Sequence, residues 1–160
     1  MIQITFVRIN EENFIDAFHL KLGKDQKRFV SHPIRSLAQA YVYYRQCTPF
    51  GIFLEETMVG YVMVIYDYDL EEYNIWHMMI DKKFQGRGYG KAAMEACLVY
   101  VASKPFGVSN RVVLTCHKEN LAALSLYHKF GFLETGIHDD EEIELALELT
   151  TKIWTEHLCF

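Results

Sequence analysis

A glycine-rich turn, Gln85-Gly86-Arg87-Gly88-Tyr89-Gly90-Lys91, stands between two segments of opposite character. Before it runs Ile75-Trp76-His77-Met78-Met79-Ile80, an apolar stretch that reads as a buried strand. After it comes Ala92-Ala93-Met94-Glu95-Ala96-Cys97-Leu98-Val99, rich in helix formers with apolar residues at helical spacing. A strand feeding a glycine loop and then a helix N-terminus restricts the fold to a layered α/β arrangement and supplies an anion site. Glycines at every second position let the backbone curl so that successive N–H groups converge. The first helical turn adds unpaired donors and the positive end of its dipole. The segment is therefore expected to bind a diphosphate.

Spacing narrows the choice of diphosphate. A nucleoside-triphosphate loop requires Gly-Lys followed by Ser or Thr to hold magnesium, whereas Lys91 is followed by Ala92. A dinucleotide fingerprint requires G-x-G-x-x-G and an acidic residue about 20 positions later. Here the pattern is G-x-G-x-G, and the later region offers Ser109-Asn110-Arg111. A glycine turn that binds nothing is the simpler alternative, and the density of donors disfavours it.

Two blocks resemble one family. Gln85-x-x-Gly88-x-Gly90 is similar to the Q/R-x-x-G-x-G/A signature of the GNAT superfamily of N-acetyltransferases. Asn120 to Phe132 is similar to its N-x-x-A-x-x-L-Y-x-K-x-G-F segment, with Ala123, Leu126, Tyr127, Lys129, Gly131 and Phe132 in place. A strand-like Arg111–Cys116 separates the blocks, as in that family, and the likeness covers about residues 2–149. It implies a mixed α/β (α+β) domain over residues 1–150. A single twisted, mostly antiparallel sheet of six or seven strands would be flanked by about four helices. Residues 151–160 would form an extension in which Ile153, Trp154, Leu158 and Phe160 dock on the domain or on a partner subunit.

Bulk properties agree. A chain of 160 residues buries enough surface for one domain. The longest apolar runs fall short of the ~20 residues of a membrane span, and Met1-Ile2-Gln3-Ile4 opens as a strand without a signal-peptide pattern. Cys47, Cys97, Cys116 and Cys159 are widely spaced, which reads as free thiols in a cytoplasmic protein without metal or disulfide. A net charge of −5 argues against a nucleic-acid partner and is compatible with a cationic substrate.

Along the chain the expected elements are a strand Ile2–Arg8, then a helix capped by Asn10 and running to Lys21. A short helix or turn over Lys24–Val30 ends near His32-Pro33. A helix Leu37–Gln46 is capped by Ser36, and strands Phe50–Glu55 and Met58–Tyr68 form a hairpin. The central strand is Ile75–Asp81, the helix after the loop Gly88–Ser103. Strand Arg111–His117, helix Leu121–Lys129 and strands Leu133–His138 and Glu142–Leu149 complete the set.

The resemblance implies acetyl-CoA as cosubstrate and direct acetyl transfer to a primary amine in a ternary complex. Backbone groups of His77, Met78, Met79 and Ile80 would line the acyl and pantetheine arm, as an added strand would. Gln85, Gly86, Arg87, Gly88, Tyr89, Gly90 and Lys91 would hold the diphosphate. Asn120 and Lys129 would contact the cofactor, and Tyr127 would be the general acid; a core tyrosine is the alternative. Many relatives carry a glutamate in the central strand as base. Ile75–Ile80 contains none, and His77 is its single titratable group, so His77 is a candidate base against the alternative of a packed histidine. Asp81 reads as a loop cap. A water chain to Glu55, Asp69, Glu71 or Glu72 is a further route for the proton.

Two acidic clusters bear on the acceptor. Asp67-Tyr68-Asp69-Leu70-Glu71-Glu72-Tyr73 enters the central strand, and Asp139-Asp140-Glu141-Glu142 lies between the last two strands. Each alone reads as a solvated turn. Together with Tyr41, Tyr43 and Tyr44 they form a candidate acidic, aromatic-sided channel, with Glu55, Asp67, Asp69 and Glu72 as substrate residues. The stretch Val59–Met63 through Asp81 and the glycine loop also resembles bacterial spermine/spermidine acetyltransferases of the superfamily, as do Phe29–Pro33 and Pro49–Ile52. Spermidine or spermine is the implied acceptor. An aminoglycoside, an amino acid, a protein lysine or N-terminus, and a non-catalytic acetyl-CoA sensor stay open, and a homodimer is compatible with the apolar tail.

Overall fold

The structure is a computed structural model and describes residues 2–150. The expected docking of the extension 151–160 lies outside the described residues. In chain order the elements are β1 (Thr5–Arg8), α1 (Phe14–His19), a 3-10 turn (Lys24–Gln26), α2 (Pro33–Val42), β2 (Cys47–Leu54) and β3 (Thr57–Asp67). They continue with β4 (Glu72–Ile80), α3 (Tyr89–Ala102), β5 (Arg111–His117), α4 (Leu121–Lys129), β6 (Leu133–His138) and β7 (Glu142–Glu148). The strands form one seven-stranded sheet in the order β1-β2-β3-β4-β5-β7-β6. Every neighbouring pair is antiparallel except β4 and β5.

That exception positions the site. Strands β4 and β5 pair only at Tyr73↔Val112 and Asn74↔Val113, then part. A bulge begins the separation: Met63 faces His77 while Val64 faces Ile75, so Trp76 is an extra residue in β4. It reverses which side chains point to which face. Ile75 joins the core beneath α3, with Met94, Leu98 and Val101. His77 and Met79 instead share a face with Tyr61 and Met63, beneath α1 and α2.

The closed end of the wedge is pinned by charge and by a phenol. Arg111 Nε donates to Glu72 Oε2 at 2.9 Å and its Nη1 to Glu148 Oε1 at 3.3 Å, tying β4, β5 and β7. Tyr73 Oη donates to Gly107 O at 2.7 Å and accepts from the N–H groups of Phe106 and Gly107, holding the α3–β5 connection.

Three expected boundaries are corrected. Ser36 is no cap: α2 starts at Pro33 behind His32, whose Nδ1 accepts from Ile34 N at 3.2 Å. Proline suits the first helical position because its missing N–H would be unpaired there anyway. Ser36 is buried, with Oγ 3.0 Å from Tyr61 Oη. Asn10 opens a turn rather than α1, accepting from Glu12 N at 2.9 Å, and Asn13 is the residue before the helix. The residues Glu72 and Tyr73, read as a connection, belong to β4, and Asp67 faces Glu72 across the hairpin. Among the described residues no helix is long and apolar enough to cross a membrane.

Gly60 has no room for a side chain, since a Cβ there would collide with Met79 O and lie 2.9 Å from Ile80 Cδ1. Gly60→Ala should lower stability by about 3 kcal/mol, the upper range of overpacking, read as a shift in the urea midpoint; an unchanged midpoint would contradict this packing.

Candidate active site

Two cavities meet in the wedge. One, of about 480 Å³, is lined by Met78, Met79, Ile80 and the glycine loop on one side and by α4 on the other. The second, of about 210 Å³, lies deeper between β4 and β5, against Trp76, His77, Cys116, His117 and Glu142. Tyr127 and Asn120 line both and so stand at their junction.

The larger cavity has the donors that a diphosphate requires. Gly86 and Gly88 take φ of +73° and +85°, in the left-handed region that favours glycine. No side chain caps α3. Among the described residues the N–H groups of Tyr89, Gly90 and Lys91 donate to no protein acceptor. Three donors at a helix N-terminus are thus without a protein acceptor, close to Gly86, beside whose missing side chain nothing lies within 4 Å.

Of the loop residues expected at the cofactor, Gly86, Gly88, Gly90 and Lys91 line this cavity, as do Met78, Met79, Ile80, Asn120 and Lys129. Gln85 lines it too, yet its amide is a strut. Its Nε2 donates to Ile80 O and to Gln26 Oε1, both at 2.9 Å, and its Oε1 accepts from Gln26 Nε2 at 2.9 Å. It ties the loop to the end of β4 and to the 3-10 turn. Arg87 is exposed and Tyr89 packs its ring edge-on to Phe84; neither side chain lines the cavity. Asn120 caps α4, its Oδ1 accepting from Ala123 N at 3.4 Å, which leaves its NH₂ free to donate. Asp81 is a loop cap as expected, accepting from Lys21 N at 2.7 Å and Lys83 N at 2.9 Å.

The four expected substrate carboxylates do not come together here. Glu72 is held by Arg111 at the closed end of the wedge. Asp67 builds its own turn, accepting from Asp69 N at 2.8 Å and Leu70 N at 3.0 Å. Glu55 lies in the β2–β3 turn with φ of 53°. None of Glu55, Asp67, Asp69 or Glu72 lines either cavity. The carboxylate that does is Glu142, at the start of β7, with Arg35 and Gln39 of α2 across from it. Sequence reasoning singled out neither Arg35 nor Trp76. The bulge that turns Trp76 toward the cavity leaves no signal in residue order.

Burial sets the protonation states. The phenol pKa of Tyr127 is pushed up by desolvation and then by the buried thiols of Cys116 and Cys97, so it stays protonated. Its Oη has no hydrogen-bond partner among the described residues. The His77 imidazole is only 7% exposed, stacks edge-on to Tyr61 at 5.0 Å, and leaves Nε2 buried without a partner. Desolvation, with His32 nearby, lowers its pKa to about 4, so it is neutral at pH 7. The Cys116 thiol is pushed up to about 11 by burial and by Glu142, and is not a nucleophile at neutral pH.

The acetyltransferase (GNAT) family model matches residues 14–132. The chain belongs to that family. It is an N-acetyltransferase, and its cosubstrate is acetyl-CoA, whose diphosphate the open α3 N-terminus fits. The chain is 27% identical to the probable spermine N(1)-acetyltransferase of Bacillus subtilis subsp. natto (strain BEST195), over 83% of this chain and 90% of that protein. Among solved structures, the spermidine N-acetyltransferase of Vibrio cholerae in complex with CoA and spermine matches with a TM-score of 0.72 at 16% identity, covering 91% of this chain and 95% of that one. The ribosomal-protein-S18-alanine N-acetyltransferase of Escherichia coli matches equally, at 0.72 and 19% identity, over 92% and 95%. The fold is thus shared by acetyltransferases with unlike acceptors.

Two measurements test this site. Gly88→Asp places a side chain at a left-handed position, with its Cβ 2.8 Å from Ile2 Cδ1, and a negative charge among the anion donors. The Kd for acetyl-CoA should rise about 100-fold or more by calorimetry, and an unchanged Kd would remove the loop from the cofactor site. His77 binds a proton more readily in the unfolded chain than in the folded one, so its contribution to stability is full above pH 6.5 and is lost as pH falls toward 4. Wild type should lose roughly 1 kcal/mol more than His77→Gln between pH 7.5 and 5.5, measured by urea unfolding; equal losses would show that His77 is not buried neutral.

Proposed function

We propose that this acetyltransferase transfers acetyl to a primary amine of a small polycation such as spermidine or spermine. The observation that carries the reading is the likeness, along most of both chains, to a relative named for spermine acetylation. Two features of the deeper cavity support it: the carboxylate of Glu142 and the ring of Trp76, 39% exposed, both of which attract ammonium groups. The buried free thiols Cys47, Cys97 and Cys116 are in keeping with a cytoplasmic site of action.

Acetyl-CoA supplies an acetyl group activated as a thioester. The chain's own residues orient the acceptor, exclude water and manage two protons. An amine of pKa about 10.4 loses roughly 4.6 kcal/mol on exposing its lone pair at pH 7. His77, near pKa 4, is too weak a base to hold that proton. Its part is that of a neutral ring in the cavity wall, which helps to exclude water and to position the acceptor. The proton then leaves by water toward Glu142 and His117 at the cavity wall. Tyr127 donates its phenolic proton to the departing thiolate and takes one back from water once the products have left. Its raised pKa is no obstacle, because the same low-dielectric surroundings raise that of a thiol released beside it.

Arg35 favours a second reading. It lines the deeper cavity, donating to Ser31 Oγ at 3.4 Å, and it suits an amine that also carries a carbonyl or carboxylate, such as an amino acid or a protein N-terminus.

Tyr127→Phe should lower kcat by about 100-fold or more and leave the Kd for acetyl-CoA nearly unchanged; wild-type turnover would remove Tyr127 as the acid. Acceptor choice is read from thiol release with spermidine, spermine, putrescine, an aminoglycoside, free amino acids, and peptides with an alanine or serine N-terminus. Polyamines should dominate, and Glu142→Gln should raise the KM for spermidine about tenfold. Turnover confined to peptides or amino acids, abolished by Arg35→Ala, would sink the polyamine reading and keep the chemistry.

A further inference from the structure

Four of the chain's lysines converge on a third cavity, on the other side of the segment joining α1 to α2. Its volume is about 530 Å³, no smaller than the acetyl-CoA cavity and sufficient for a drug-sized ligand. The floor is apolar, built from Phe18, Leu20, Val30 and Met79, while Lys21, Lys24, Lys27, Lys82 and His32 supply all of its titratable groups. In a chain of net charge −5, a cavity with five basic side chains and no carboxylate runs against the average. Among the described residues none of these lysines enters an ion pair.

The backbone that carries two of the lysines is fixed. Lys82 N donates to Lys21 O at 2.8 Å, and Lys21 N to Asp81 Oδ2 at 2.7 Å, which sets the two lysines side by side. His32 spends Nδ1 on capping α2 and keeps Nε2 free to donate at the positive end of that ten-residue helix. We infer that this cavity binds a small organic polyanion, an aromatic ring or short apolar chain bearing two or more phosphates, separate from acetyl-CoA. The ring occupies the apolar floor and the phosphates meet the lysines. Leu22 and Val30 line both this cavity and that of acetyl-CoA, and Val30 also lines the acceptor cavity. A ligand here therefore touches residues that also wall the active site.

The test is calorimetric titration of adenosine diphosphate into the full chain saturated with CoA, so that the glycine loop is already occupied. Binding in the micromolar range is expected. Lys24→Glu with Lys27→Glu, both exposed positions, should weaken it by about tenfold or more while the KM for acetyl-CoA stays within about twofold. No heat with the CoA-saturated protein, or undiminished binding by the double variant, would overturn the inference. A raised KM for acetyl-CoA in that variant, with competition between the two ligands, would assign the lysines to the cosubstrate's own phosphates instead. Inorganic pyrophosphate binding as tightly as the nucleotide would overturn the need for a ring.

Discussion

Everything functional in this protein depends on two parallel strands that pair for two residues and then separate. Where β4 and β5 are joined, at Tyr73↔Val112 and Asn74↔Val113, their backbone groups satisfy one another. Beyond that point the facing edge of β4 has no strand to bond, and buried backbone polar groups require partners. A ligand running along Met78–Ile80 would supply them, and these residues line the larger cavity. The separation is held by what lies at its two ends. Arg111 and Tyr73 clamp the closed end, and the bulge at Trp76 bends β4 away.

The open end is stiffened by polar groups that lie outside the chemistry. Gln85 binds the strand end, the loop and the 3-10 turn at once, and Asp81 fastens the loop to the end of α1. These bonds fix the loop so that the helix α3 presents its free N–H groups in one arrangement, and an anion meets donors that need no ordering on binding. Inside the wedge the division of labour is electrostatic. Burial keeps Tyr127 protonated and His77 neutral at neutral pH.

Much of the fold was legible in residue order. The bounds of β5, α4 and β6 agree with expectation because each is framed by unambiguous signals, such as Asn120 before α4 and Gly131 after it. The glycine loop was legible for the same reason: its chemistry is local. Errors fell where one local signal had two uses. The His32-Pro33 pair reads as a stop for one helix and serves as the start of the next. Asn10 reads as a helix cap, yet its side chain accepts from Glu12 N inside the turn that precedes α1, and Asn13 Oδ1 accepts from Asn10 N in that same turn. The acidic run Asp67–Glu72 reads as a loop, yet its ends pair across a hairpin and Glu72 is drawn to Arg111, 39 residues away.

By itself the sequence determined the sheet-and-helix architecture, the glycine turn before α3 and the placement of Tyr127 on α4 behind its cap Asn120, because periodicity, glycine spacing and capping act over a few residues. Tertiary structure alone decided the lining of the deeper cavity. A single bulged residue sends Ile75 and His77 to opposite faces, and β7 and α2 bring Glu142 and Arg35 to the wedge while Glu55, Asp67, Asp69 and Glu72 stay outside it. Which charges meet a substrate is settled by strand register and the closing of long loops, and neither is written in the spacing of neighbours.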